Sequence, residues 1–171
     1  MLRLRRPPDP ALRTAVTVRA ATPADAEAVA RLARLLSLAD GARPSQFTAE
    51  AYLRDGFGPT PAFRVLVAEV DGEVVGYALF YPGYDTDRAT RGVYLADLYV
   101  LGTHRRMGVG RALVSGVARQ SRAMGGSWMF WSVLKRNKGA RKFYRTLAPE
   151  LRDIVICAAF GPGFEKLAHD G

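Results

Sequence analysis

Seven residues, Arg105-Arg-Met-Gly-Val-Gly-Arg111, have the composition of an anion-binding turn. They follow an apolar run from Leu95 to Leu101 and lead into a helix-forming stretch. A helix start leaves several amide hydrogens without intrahelical acceptors and concentrates positive potential there. Gly108 and Gly110 let a bulky anion come close to the main chain, and Arg105, Arg106 and Arg111 add charge around it. Three kinds of phosphate-holding loop compete for this segment. A mononucleotide P-loop requires Gly, four residues, then Gly-Lys-Ser/Thr, and here Gly110 is followed by Arg111. A dinucleotide loop requires a third glycine and an acid about 20 positions on. Residue 113 is leucine, and no acid lies between Asp97 and Glu150. The third kind, Arg/Gln-x-x-Gly-x-Gly/Ala, is matched from Arg105 to Gly110.

The charge distribution supports an anionic ligand independently. The net charge is +9, but residues 1–97 hold 12 basic and 12 acidic side chains. Residues 98–149 hold 11 arginines or lysines and no acid. Such a region draws polyanions toward it. Nucleic acid would be drawn too, yet the chain has no zinc-ligand spacing, RNA-binding aromatic motif or basic zipper. Nucleic-acid binding is therefore a minor alternative.

These residues need a scaffold. At 171 residues with 49% hydrophobic content, the chain reads as one globular domain over 16–171. Met1 to Ala15, with four arginines and three prolines, reads as a flexible basic arm without the apolar middle of a secretory signal. No apolar stretch approaches the ~20 residues of a membrane span. Cys157 is the lone cysteine, so no intrachain disulfide can form. A cytoplasmic protein is the simplest expectation. Cys157 lies in an apolar run, Ile154 to Phe160, and reads as a core residue.

Val16–Ala20 reads as a strand. Thr22-Pro-Ala-Asp25 then reads as a capped helix start, with Val29, Leu32, Ala33 and Leu36 forming the apolar stripe. A second helix is centred on Thr48–Arg54. Arg64–Val70 and Val74–Tyr81 are strands joined at Asp71-Gly72, a hairpin signal. Gly92–Leu101 is a strand and Gly110–Met124 a helix stopped at Gly125-Gly126. Ser127–Leu134 is a strand, Asn137–Leu147 a helix, and Asp153–Phe160 a final strand. The order β-α-α-β-β-β-α-β-α-β predicts an α/β (α+β) fold, a mixed central β-sheet with helices on both faces.

Both the loop and this order resemble the GNAT superfamily of N-acetyltransferases. Arg54-Asp-Gly-Phe-Gly58, Leu66–Val70, Gly76-Tyr-Ala, Tyr84-Asp85, Tyr94-Leu-Ala-Asp-Leu-Tyr-Val100 and Asn137 through Phe143-Tyr144 resemble its diamine branch. That branch includes spermidine/spermine and thialysine acetyltransferases. The resemblance covers roughly Val18 to Leu147. It implies acetyl-CoA as co-substrate, without a metal, and direct acetyl transfer to a primary amine of a small molecule. It maps the pantetheine arm onto the backbone of Leu98, Tyr99 and Val100. The pyrophosphate maps onto Arg105, Arg106, Met107, Gly108, Val109, Gly110 and Arg111, with Asn137 and Ala140 contacting the CoA arm.

In the same terms Tyr144 is the catalytic acid, since a phenol with a pKa near ~10 stays protonated at neutral pH. Relatives carry a glutamate before the Asp of the cofactor strand; here that position is Ala96, which cannot accept a proton. Asp97 remains as the candidate catalytic carboxylate. Adjacent strand residues face opposite ways, so it can stand in only if a bulge turns it. Asp40 aligns with an acidic amine contact, and Asp85, with Asp87, lies before the cofactor strand as a further substrate contact. The resemblance also implies a possible homodimer. Acetylation of a protein lysine or N-terminus, and CoA binding without turnover, are the alternatives.

Overall fold

Asp71 and Gly72 close the first hairpin with φ of 52° and 80°, the two left-handed positions that a tight hairpin turn requires. They join β2 (Arg64–Val70) to β3 (Glu73–Asp85). β3 turns back into β4 (Thr90–Val100), β1 (Thr17–Ala20) lies along the other edge of β2, and β5 (Gly126–Trp131) follows α3 (Val109–Ala123). The sheet order is β1-β2-β3-β4-β5. All neighbours are antiparallel except β4 and β5, which run parallel. A parallel pair needs a crossover, and α3 provides it. This computed structural model describes residues 15–169. The arm expected over 1–15 lies, except for Ala15, outside them. The chain forms two compact units, one running to Leu134 and one from Lys135.

Strand alternation divides the larger unit into two faces. Val65, Val67 and Tyr77 point to one side and meet Val29, Leu32 and Ala33 of α1 (Ala26–Ala39) and Tyr52 of α2 (Ala49–Phe57). The opposite face belongs to α3, which touches all five strands and buries Leu113 and Val117 completely. The sheet is thus mixed, with helices on both faces, as the element order predicts. Among the described residues, no helix is long and apolar enough to cross a membrane.

The smaller unit contains α4 (Lys138–Tyr144) and α5 (Pro162–His169). Here the structure corrects the sequence reading. Asp153–Phe160 forms no strand, and Cys157 is exposed instead of core. Val155 and Phe160 are each 83% exposed. An apolar, β-branched run is only a disposition to pair; a strand exists where another strand completes its ladder. α5, with Pro162 opening it, was not anticipated.

One polar network fastens β1 to the α1 face. Arg19 donates to both oxygens of Asp25 at 2.8 Å and to Glu69 at 2.6 Å. Asp25, 6% exposed, also accepts the Thr22 N–H at 2.7 Å. Tyr52 Oη donates to the Thr22 carbonyl at 2.8 Å. Asp25 thus caps a short turn ahead of α1 and ties it to the sheet. The Arg19 hydrogen bonds lower its pKa from 3.8 to about 2 against the opposing cost of burial. A depressed carboxyl stabilises the fold above its unfolded pKa and loses that contribution as pH falls through the folded value. Asp25→Asn should cost about 2 kcal/mol at pH 7. Urea denaturation should show the gap from wild type closing between about pH 4 and pH 2. A gap that stays constant across that range would exclude the ionised pair as its source.

Candidate active site

The register between β3 and β4 skips one residue. Phe80 opposes Leu95, and Leu79 opposes Asp97, leaving Ala96 as the extra residue of a β-bulge. In a regular strand Ala96 would oppose Leu79, and Asp97 would oppose Ala78 on the α3 face. The bulge turns Asp97 onto the α1 face. There its Oδ2 accepts from Tyr77 Oη at 2.8 Å. The Tyr77 ring is fully buried beside α1. Burial pushes the Asp97 pKa upward, the Tyr77 hydrogen bond opposes that, and the charge of Asp40 adds to the rise. Asp40 is the C-cap of α1, its N–H donating to the Leu36 carbonyl at 3.0 Å. Two of the acids singled out in the sequence are therefore within electrostatic reach of each other. The conditional requirement for Asp97, a bulge, is met.

β4 also loses a neighbour at this point. β5 pairs with Arg91 through Leu95, and Leu95 opposite Trp131 is the last pair. From Asp97 to Val100, β4 pairs only with β3. A bulge bends its strand and increases the local twist, which fits the divergence of the two strands. Leu98, Tyr99 and Val100 lie on the stretch that β5 has left. The paired half is braced by Trp128, whose indole lies on Gly92 so closely that a Cβ there would overlap it. Its Nε1 donates to the Thr90 carbonyl at 3.2 Å.

The basic turn follows directly. A 3-10 turn at Gly102–His104 leads to Arg106 at φ 65° and Gly108 at φ 86°. Gly108 is the N-cap of α3, and a Cβ there would meet nothing within 4 Å. Val109 is 1% exposed and anchors the turn in the core, leaving its backbone, not its side chain, for a ligand. Arg106, Met107 and Arg111 are exposed. Arg105 instead folds back: its Nε donates to the Val100 carbonyl at 3.0 Å, and its guanidinium lies 5.5 Å from the Tyr99 ring centroid. It ties the turn to the end of β4.

In the smaller unit, Asn137 caps α4, its Oδ1 accepting the Ala140 N–H at 3.0 Å. The two residues assigned to the CoA arm are thus bonded to each other at a helix start. Tyr144 is the last residue of α4, with its ring 5.3 Å from Phe143. Its carbonyl accepts from Leu147 and Ala148. Arg141 forms a two-pronged pair with Glu150, at 2.9 and 2.8 Å, which holds the chain that follows the helix.

Asp85 is not brought to Asp97. It sits at the end of β3, where it accepts from the backbone and guanidinium of Arg88, and these bonds lower its pKa. Six residues of strand, about 20 Å, separate it from Leu79, the partner of Asp97. Its observed work is to shape the β3–β4 turn. Tyr77, in the Gly76-Tyr-Ala segment, is the residue that sequence reasoning misses. The available signal was a tyrosine amid an apolar strand, because a buried phenol needs a hydrogen-bond partner.

The turn yields a test. Gly108→Ala places a side chain at φ 86° and should destabilise the fold by about 1 kcal/mol. It should also lower affinity for a pyrophosphate-bearing ligand severalfold. Gly102, where a Cβ likewise meets nothing but φ is ordinary, should tolerate alanine in both respects. Calorimetric titration with acetyl-CoA and thermal denaturation measure the contrast; equal behaviour of the two variants would exclude the left-handed cap as the binding determinant.

The acetyltransferase (GNAT) family model matches residues 32–148. The chain is 36% identical over 147 residues to the thialysine N-epsilon-acetyltransferase of Bos taurus, covering 79% of this chain and 84% of that one. It is 29% identical over 98 residues to the L-ornithine N5-acetyltransferase of Arabidopsis thaliana, covering 57% and 43%. The solved ribosomal-protein-alanine N-acetyltransferase of Brucella melitensis superposes with a TM-score of 0.69 at 28% identity, covering 86% and 100%. An aminoglycoside N-acetyltransferase solved with CoA gives 0.70 at 21% identity, covering 85% and 95%, a likeness of fold. A matched family model over most of the chain, and a relative aligned along most of both lengths, agree with the bulged strand and basic turn: this chain belongs to the GNAT family of N-acetyltransferases.

Proposed function

We propose that the protein acetylates a primary amine of a small, cationic molecule, with acetyl-CoA as the acetyl donor. The observation that carries this reading is the placement of Asp97 by the Ala96 bulge, on the α1 face and within reach of the charge of Asp40. Two acids there attract an ammonium group, and names such as thialysine and ornithine among the relatives' substrates have that charge. The donor fits the residues present. β4 is without β5 from Asp97 to Val100, so its backbone can take an extended ligand arm as a strand takes a neighbour. The turn from Arg105 to Arg111 supplies a left-handed glycine cap and helix-start amides to a pyrophosphate. When bound, acetyl-CoA supplies an activated acetyl thioester.

The chain's own residues then have distinct tasks. Leu98, Tyr99 and Val100 orient the donor through their backbone. Arg106, Gly108, Val109, Gly110 and Arg111 hold its phosphates, and Arg105 holds the turn. Asp97 takes the proton that the amine must lose before it can attack. A carboxylate with a raised pKa suits a base working near neutrality. Tyr144 is assigned, from the family resemblance, as the proton donor to the leaving group. Val155, Ile156 and Phe160, 83%, 69% and 83% exposed, support the association of two copies through the 153–160 segment.

Thiol release should be measured with acetyl-CoA and a panel of diamines, amino acids bearing a side-chain amine, and peptides. Small cationic amines should turn over and peptides should not; the reverse would replace this reading with a protein acetyltransferase. Asp97→Asn should lower kcat/KM on the order of 10²-fold and remove the acid limb of its pH profile. Tyr144→Phe should lower kcat while leaving acetyl-CoA affinity intact. For assembly, sedimentation should show a dimer at micromolar concentration that Val155→Glu with Ile156→Lys dissociates; a wild-type monomer at that concentration would rule it out.

A further inference from the structure

Among the described residues, the carboxyl group of Asp97 is held by one hydrogen bond, from a residue outside every role assigned above. Tyr77 Oη donates to Asp97 Oδ2 at 2.8 Å. Its ring has no exposed surface and is packed among the α1-face core residues Val29, Leu32 and Val67. A side chain locked this way has one rotamer, so its hydroxyl has one place to be. The bond crosses the sheet from β3 to β4, because Tyr77 opposes Tyr99, two residues beyond Asp97. It lies just beyond the bulge, on the Val100 side of Ala96, and couples the carboxylate to the strand that carries no extra residue.

Resting on the proposed role of Asp97 as proton acceptor, we propose that Tyr77 is a positioning residue for the acetyl-transfer reaction. Its hydroxyl fixes Oδ2 so that Oδ1 is the oxygen that receives the proton of the substrate ammonium. Among the described residues Oδ1 has no hydrogen-bond partner. In the transfer an N–H bond of the ammonium breaks, an O–H bond forms at Oδ1, and the nitrogen keeps the electron pair with which it attacks. Tyr77 itself does not give up a proton. Burial, and then the adjacent Asp97 charge, hold its phenol far above its ordinary pKa, so it remains a donor throughout the working range.

The surroundings of Asp97 set the sign of the expected effect. From β3 it faces the Tyr77 hydroxyl; from α1, the charge of Asp40. Along β4 lies Tyr99, with the Arg105 guanidinium over its ring. The Tyr77 bond favours the ionised carboxylate, whereas burial and Asp40 disfavour it. Removing the bond alone should raise the pH at which Asp97 becomes competent to accept a proton.

Tyr77→Phe tests this with the ring retained. The acid limb of kcat/KM should move up by about one pH unit, with the KM for acetyl-CoA unchanged. Two amines of different basicity separate the limbs: one limb moves with the amine, the other only with the variant. Asp97→Asn is run beside it. If that variant abolishes the limb but Tyr77→Phe leaves it in place, Asp97 stands as the base and the Tyr77 proposal is overturned. A limb that survives Asp97→Asn would overturn the base assignment and, with it, any action of Tyr77 through that residue. Should Tyr77→Phe fail to fold, wild-type protein labelled with ¹³C at the aspartate carboxyls gives the second readout. The Tyr77 hydroxyl proton should shift at the same midpoint as the Asp97 carbon; independent midpoints would sink the proposal.

Discussion

Past Leu95, β4 keeps its hydrogen bonds to β3 and loses β5. A backbone edge inside a sheet is an obligation, because each N–H and C=O needs a partner. The rest of the candidate site is arranged around that edge. The bulge at Ala96 occurs where the two strands separate. The basic turn begins where the edge ends, and Arg105 bonds back to Val100, the last residue of the edge. α3 then starts from Gly108 and packs across the sheet, carrying the chain to β5. The same crossover that makes β5 parallel to β4 therefore also aims a helix start at the opening between them.

Charge is partitioned along this one strand and its continuation. At Asp97 the α1 face is acidic, with Asp40 adding to the local field. From Leu98 onward the chain has no acid until Glu150. Acidic and basic side chains thus occupy neighbouring positions of the same strand and the turn that continues it. The Arg19–Asp25–Glu69 network lies elsewhere on the α1 face, tying β1 and β2 to the turn before α1. It stabilises the helix that carries Asp40 without contributing charge to the turn.

What was legible in the sequence was local. Turn chemistry at Asp71-Gly72, helical periodicity in α1 and the place of the glycine-arginine segment between a strand and a helix all depend on nearby residues, and each matches the structure. The register between β3 and β4 was not legible at all. A bulge belongs to a pair of strands, and Ala96 looks like any other strand alanine. The same limit explains Asp153–Phe160. Its residues have strand propensity, but among the described residues no strand pairs with it. Asp85 lies apart from Asp97 for a related reason: Arg88, three residues on, engages its carboxylate. Tyr77 stands in an apolar strand stretch, and only register supplies Asp97 as its partner.

The bulge separates two properties that a regular strand would link. Leu95 and Asp97 face opposite sides although they are two residues apart. A chain shortened by deleting Ala96 would still set Asp97 opposite Leu79, on the α1 face, but in an unbent strand. The direction of the acid and the curvature of β4 can therefore be inherited independently. An insertion or deletion of one residue alters the opening beside β4, while a substitution alters the carboxylate proposed as the base. Within a fold that accommodates many amines, this gives the two halves of the reaction separate routes of change.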